Sequence, residues 1–245
     1  MKRSQLIPES VKSFLLYMRL NPRSLLRATY SPKLVFSEIY AKNKWGGAAG
    51  LLYSGSGSRG EAAQDYVSLV TDFIVKHNVK SVLDLGCGDF FIGSQITGVC
   101  EQYVGVDVVP SVIEQHRDRH GSSKVDFQCL DITRSPLPLA DLCLIRQVLQ
   151  HLSNKQISSV IRHFSQFTYV IVTEHFPHPS EFEATNRDVA AGAGTRVAFG
   201  SAVVLDQPPF NLKCTELMNV PASKREDGIE DRYTRGSIRT FLVGS

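Results

Sequence analysis

From Val79 onward the chain alternates short apolar strand signals with helical ones, and this alternation limits the fold more than any other feature. Apolar runs over residues 80–84, 103–107, 125–130, 142–146 and 169–173 read as strands. Residues 91–99, 111–120 and 155–164 read as helices between them, and 61–77 as a helix leading into the first strand. Such a succession forms βαβ units and a mostly parallel sheet covered by helices on both faces. The end changes character: residues 210–220 and 237–243 bracket a charged, glycine-containing stretch, which predicts an antiparallel pair closing the sheet edge. The expected class is α/β, a doubly wound, seven-stranded, mostly parallel sheet with an antiparallel C-terminal pair.

At 245 residues the chain is long enough for one full core plus an appendage. Its net charge of +3 is unevenly spread. Residues 1–44 hold nine Lys/Arg against two Glu, a net +7, while the remainder has 18 basic and 22 acidic side chains, a net −4. In the arm, Val11, Phe14, Leu15 and Met18 take helical spacing over 10–20. The organisation expected is a basic helical extension over 1–44 and a main domain over 45–245. The extension packs on the body or, as basic amphipathic helices do, lies on an anionic membrane surface. Residues 46–60 are rich in Gly and Ser, a linker or a lid over the ligand. Five cysteines without a CxxC pair predict a reducing, cytoplasmic setting, with no disulfide framework and no zinc site. No apolar run reaches the roughly 18 residues a membrane span needs.

The chemistry concentrates at strand ends. The first strand runs into Asp84-Leu85-Gly86-Cys87-Gly88, where two glycines let the backbone turn and let a ligand approach it. A dinucleotide fingerprint would require a third glycine at position 91, which is Phe, and this disfavours a nicotinamide-dependent oxidoreductase. Asp84 suits a ligand ammonium group. Asp107, 19 residues past Gly88 at the end of the second strand, suits the two hydroxyls of a ribose. Asp131, beside Ile132 after the third strand, is placed for an adenine amino group. Any one of these acids has a plainer reading as a turn or helix-cap residue.

At these residues the chain resembles the class I S-adenosylmethionine-dependent methyltransferases, which are Rossmann-like. The resemblance spans roughly residues 45–245 and is strongest over 79–175. It implies S-adenosylmethionine as cofactor, held by Asp84, Gly86, Cys87 and Gly88 at the methionine end, Asp107 and Val108 at the ribose, and Asp131 and Ile132 at the adenine. Arg146, ending the fourth strand beside the cleft, suits an anionic substrate group or a protein carboxylate, and Tyr53 is placed to cover the methionine portion. Residues 141–153, with Trp45-Gly46, the Gly/Ser run at 54–58, Thr173-Glu174-His175, Asn186-Arg187-Asp188 and Pro208-Pro209-Phe210, look like a bacterial small-molecule or saccharide-type subgroup.

Acceptor sites in open α/β sheets lie at the carboxyl ends of the strands. An alcohol acceptor must lose a proton, so His151, Glu174 and His175, after the fourth and fifth strands, are the candidate bases. The reading is O-methylation of a small molecule or saccharide. The alternatives are N-methylation of a small amine and a non-catalytic cofactor-binding partner subunit. Asp206-Gln207-Pro208-Pro209-Phe210 resembles the amine-holding motif of nucleobase methyltransferases. It follows the fifth strand rather than the fourth, Gln interrupts it, and no basic stripe with interleaved aromatics accompanies it, so no nucleic-acid partner is expected.

Overall fold

The computed structural model describes residues 31–47, 51–222 and 231–244. The helix expected over 10–20 lies outside them. The first described helix, α1 (Pro32–Ala41), opens on a proline at its first turn and buries Val35 and Ile39. Although it falls within the expected extension, its Pro32, Phe36 and Tyr40 line the main cleft. Helix α2 (Glu61–Lys76) follows the Gly/Ser segment and buries Tyr66, Val70, Phe73 and Ile74 against the sheet. Each such side chain is worth roughly 1.5–3 kcal/mol when fully covered.

The alternating region then gives β1 (Ser81–Leu85), a one-turn α3 (Gly93–Ile96), β2 (Gln102–Asp107), α4 (Pro110–His120), β3 (Val125–Cys129), β4 (Leu142–Arg146), α5 (Asn154–Ile161) and β5 (Tyr169–Phe176). A small parallel pair, β6 (Ala184–Thr185) with β7 (Ser201–Ala202), stands apart. The last strands are β8 (Cys214–Pro221) and β9 (Ser237–Val243). The main sheet has seven strands in the order β3-β2-β1-β4-β5-β9-β8. β1 to β5 are parallel to one another, and β9 runs antiparallel to both β5 and β8.

Alternation along the strands divides the core. Leu83, Leu85, Cys143, Ile145, Val170 and Val172 face α5 with Ile157 and Val160. Val82, Leu142, Leu144 and Ile171 face α2. The register of β1 is clipped at its start, where Asp141 Oδ2 accepts from the N–H groups of Lys80 and Ser81 at 2.8 and 2.9 Å. A capping box between Ser153 and Gln156 opens α5 directly after the loop that follows β4.

The helix expected over 91–99 is reduced to α3 and a 3₁₀ turn, Thr97–Val99. Phe90, at φ 60°, turns the chain so that its ring enters an aromatic group with Tyr103, His116 and Phe127. Among the described residues no helix is long and apolar enough to cross a membrane. All five cysteines are free thiols.

Candidate active site

The turn after β1 sets the first contacts. Gly86 and Gly88 have φ of 81° and 54°, where a side chain is strained. A Cβ on Gly88 would stand 2.3 Å from Ser54 Oγ. Asp84 lies on the buried face of β1 shared with Val82, and its Oδ2 accepts from the Tyr103 hydroxyl at 2.5 Å. Burial pushes its carboxyl up to about 6, opposed by that hydrogen bond and by the Arg146 guanidinium. Asp107 ends β2 and accepts from the N–H groups of Val109 at 3.0 Å and Gly88 at 3.3 Å. Its carboxyl is likewise pushed up to about 6 by burial, with those N–H groups opposing. Both line one cleft across the strand ends. A buried carboxylate without full compensation is costly, so the cleft favours a ligand bringing a cation to Asp84 and hydroxyls to Asp107.

Gly86, Cys87, Gly88, Val108, Asp131, Ile132 and Arg146 also line this cleft. Asp131 is partly engaged by its own turn: its Oδ1 accepts from the Thr133 N–H at 3.0 Å and hydroxyl at 2.6 Å. Burial, with the charges of Asp107 and Asp84, holds the Cys87 thiol well above its ordinary pKa, so it stays protonated. Arg146 donates to the Gly57 carbonyl at 2.6 Å and sits over the Tyr66 ring. Tyr53 does not line the cleft. It lies against Gly47 and the Arg59 guanidinium, and its neighbour Ser54 forms the wall instead.

The segment from Ser54 to Arg59 is tied down onto the glycine turn. The Asp89 N–H donates to Ser54 Oγ at 2.6 Å, and Ser54 N–H donates back to Asp89 Oδ2 at 3.1 Å. Arg59 pairs with the same oxygen at 3.1 Å and stacks on Phe91, 3.6 Å from the ring centroid. Gly57 passes so close to Gln147 that a Cβ would lie 2.0 Å from its Oε1. Gln147 itself has φ 56°, a strained position for a side-chain-bearing residue directly after β4.

The three candidate bases differ. His151 closes the 3₁₀ turn Leu149–His151 after β4 and lines the cleft. Its Nδ1 faces the carbonyls of Gly192 and Gly194, each at 3.1 Å. Two acceptors at Nδ1 make that nitrogen the N–H donor, which leaves the lone pair on Nε2. The ring stands against Trp45 and Phe36, at centroid separations of 5.5 and 6.3 Å. Burial pulls its pKa down to about 4, the two carbonyls opposing, so the ring is neutral at pH 7.

Glu174 does not line the cleft. It is buried on β5, its Oε1 accepting from the Leu149 N–H at 2.9 Å and its Oε2 from that of Gln150 at 3.2 Å. Burial pushes its carboxyl up to about 8 against those bonds and the charge of Arg196. The fully buried Arg196 holds the other end of the same loop, donating to the Leu152 carbonyl and to Asn154 Oδ1, both at 2.8 Å, and to the Arg187 carbonyl. Glu174 and Arg196 therefore hold the two ends of the loop that carries His151.

His175 lines a second cavity that shares Trp45, Ser54, Gln147 and His151 with the first. Burial pulls its pKa down to about 4. The Asp206–Phe210 stretch borders neither cavity. Its Pro208 carbonyl and that of Val204 accept from Asn186 Nδ2 at 2.8 Å, a structural tie within the loop between β5 and β8.

Trp45, Phe36, Ser54 and Gln147 are wall residues that the strand-end reasoning did not single out by role. The signals for them in sequence were the lone tryptophan beside a Gly-Gly pair, the Gly/Ser run holding Ser54 and the 141–153 run holding Gln147.

Residues 82–169 match the family described as "Methyltransferase domain". Among curated proteins none matches the sequence. Of the solved structures, the N-methyltransferase NodS from Bradyrhizobium japonicum WM9, in complex with S-adenosyl-L-homocysteine, aligns at a TM-score of 0.52. It is 15% identical, over 75% of this chain and 87% of that one. Magnesium protoporphyrin IX methyltransferase from Synechocystis PCC 6803, with bound S-adenosyl-L-homocysteine, aligns at 0.53 with 14% identity, over 88% of this chain and 100% of that one. At such identities the likeness is one of fold. The matched segment spans the sheet from β1 to the start of β5 and carries the glycine turn and the acids on β1 and β2. Residues 82–169 thus match a methyltransferase-domain family within a sheet of Rossmann-like fold.

Proposed function

We propose that the chain is an S-adenosylmethionine-dependent methyltransferase that methylates a hydroxyl oxygen of a small molecule or saccharide. The observation that carries this reading is His151. It is a neutral imidazole on the cleft wall, its Nδ1 fixed by two carbonyls and its Nε2 left to accept a proton.

The cleft suits the cofactor on its own chemistry. The Asp84 and Asp107 carboxyls are buried at the strand ends with their pKa values pushed up, and both line the cleft beside the glycine turn. Asp84 would hold the ammonium group, Asp107 the ribose hydroxyls, and Ile132 with Asp131 the adenine. Both solved relatives described above carry S-adenosyl-L-homocysteine. When bound, the cofactor supplies an electrophilic methyl on a positively charged sulfur.

The protein's own task is alignment, water exclusion and removal of one proton. Ser54 and the loop clipped to Asp89 cover the glycine turn, and Trp45 shields the His151 ring. His151 Nε2 takes the acceptor's hydroxyl proton, an effect of about 10²–10⁴-fold in rate. Glu174 and Arg196 keep the loop at the position this requires. The tied-down 54–59 segment supports the lid reading of that stretch.

Calorimetry tests the donor half. S-adenosyl-L-homocysteine should bind the full chain while NAD does not, and Asp107→Ala should weaken it by about 1–3 kcal/mol through a lost pair of hydrogen bonds to a charged group. Equal affinity in the variant would sink the assignment. His151→Gln should lower turnover while leaving that affinity intact, and full activity in this variant would remove His151 from the role of base.

A further inference from the structure

Four aromatic rings converge on the main cleft from separate parts of the chain. Phe36 and Tyr40 come from α1, Trp45 from the segment after it and His151 from the turn after β4, and all four line the cleft with Asp84 and Asp107. Trp45 is the centre of the group, its ring centroid 5.3 Å from Tyr40, 5.5 Å from His151 and 6.1 Å from Phe36. The interplanar angles at those contacts are 86°, 47° and 37°. The rings therefore meet as tilted walls rather than as stacks that would seal one another's faces. Their polar tips are tied back: Trp45 Nε1 donates to the Ala193 carbonyl at 3.4 Å, and the Tyr40 hydroxyl lies 3.1 Å from Ser54 Oγ. Each of the four residues is half-buried, so ring surface remains for a ligand.

An aromatic face carries the negative end of its quadrupole and attracts a cation, tryptophan most strongly. Among the described residues, the carboxyls of Asp84, Asp89, Asp107 and Asp131 line the same cleft and act in the same direction, with the Arg146 guanidinium opposing them. His151 adds no repulsion, since its ring is neutral at pH 7. The proposed chemistry supplies the cation. A sulfonium lies between the ammonium-bearing chain assigned to Asp84 and the ribose assigned to Asp107, and its methyl has to face the acceptor. Trp45 and His151 border both this cleft and the second cavity, and His151 is the proposed base, so Trp45 stands beside the point of transfer.

Resting on the methyltransferase reading above, we propose that Phe36, Tyr40 and Trp45 form an aromatic wall that holds the sulfonium of S-adenosylmethionine and discriminates it from the neutral thioether of S-adenosyl-L-homocysteine. The donor then binds more tightly than the product it becomes, and spent cofactor leaves the site readily. All three residues precede residue 82, so the wall lies outside the segment that matches the family.

Trp45 is the only tryptophan in the chain, so growth on fluorinated tryptophans alters this ring and no other. Each added fluorine drains negative potential from the ring face at nearly constant shape. Calorimetry on the full chain measures affinity for both nucleosides, in the parent and in chains carrying mono-, di- and trifluorotryptophan. The parent should bind S-adenosylmethionine about 3- to 30-fold more tightly than S-adenosyl-L-homocysteine. That ratio should fall stepwise with fluorine number, towards the share left by the carboxyls, while affinity for S-adenosyl-L-homocysteine holds within about twofold. A role confined to packing would move both affinities together. Should a fluorinated chain fail to fold, Phe36→Leu supplies the same comparison and should lower the ratio. Three results would each overturn the proposal: no preference in the parent, a ratio that ignores fluorination, or saturable binding of tetramethylammonium beside bound S-adenosylmethionine, which would give the rings to a cationic acceptor. A parent chain that binds neither nucleoside defeats the methyltransferase reading itself, an outcome distinct from equal binding of both.

Discussion

His151 should titrate near pH 4 rather than at the ordinary 6.5. The cause is enclosure between Trp45, Phe36 and the Gly192–Gly194 carbonyls, which penalises the charged ring more than the two carbonyls favour it. A displacement from 6.5 to about 4 corresponds to about 3 kcal/mol at roughly 1.4 kcal/mol per decade. That is an upper figure, since one edge of the ring meets the cleft. The folded pKa is the lower one, so the unfolded chain binds the proton first as the solution is acidified. The contribution is therefore fully present above pH 6.5 and is lost as the pH falls through about 4. Proton NMR of ¹³C-labelled histidine, with the His151 signal identified by its loss in His151→Phe, reads the midpoint directly. Urea unfolding at pH 7 and pH 5 checks the linked loss of stability, to which His175, also near 4, adds in the same direction. A midpoint at 6 or above would refute the reasoning, because the ring would then be solvated rather than enclosed.

Two further perturbations separate positioning from chemistry. Arg196→Met strips the Leu152 and Arg187 carbonyls and Asn154 Oδ1 of their donor and leaves Glu174 without its nearby cation. A loss of about 3–5 kcal/mol is expected, or roughly 6–20 °C in Tm for a chain of this size, and scanning calorimetry showing less than about 1 kcal/mol would dismiss the clamp. Asp89→Ala removes the acceptor of both Ser54 N–H and Arg59, so limited proteolysis should cut within 54–60 faster than in the parent chain; an unchanged cleavage rate would mean the loop is held by other contacts.

The sheet was legible because its signals are local. The run over 142–146 became β4 with the same bounds, since five apolar or strand-ending residues between turns leave little choice. Asp84 and Asp107 reached the cleft for the same reason: position at a parallel strand's carboxyl end is a one-dimensional property. The helix after the glycine turn was over-read. Apolar spacing over 91–99 suggested it, but Phe90 is drawn into a cluster with Phe127 and His116 that lie far along the chain. The placement of Tyr53 rather than Ser54 at the wall was one residue off, as expected in a segment without periodicity. The setting of His151 was out of reach, because it depends on carbonyls more than 40 residues later and on Arg196, which no local pattern ties to it. Glu174 looked like a base for being charged at a strand end, whereas its oxygens are occupied by backbone N–H groups from another loop.

The position of β9 between β5 and β8 bears on how the chain matures during synthesis. β8 leaves the ribosome first, yet among the described residues its one neighbour in the sheet is the strand that follows it. Until residue 243 has been made, the strand that joins β5 to β8 is incomplete. The nucleotide half, β1 to β4, can close well before that point. The open edge is β5, the strand that carries Glu174 and His175, so the cavity beside His175 is completed last.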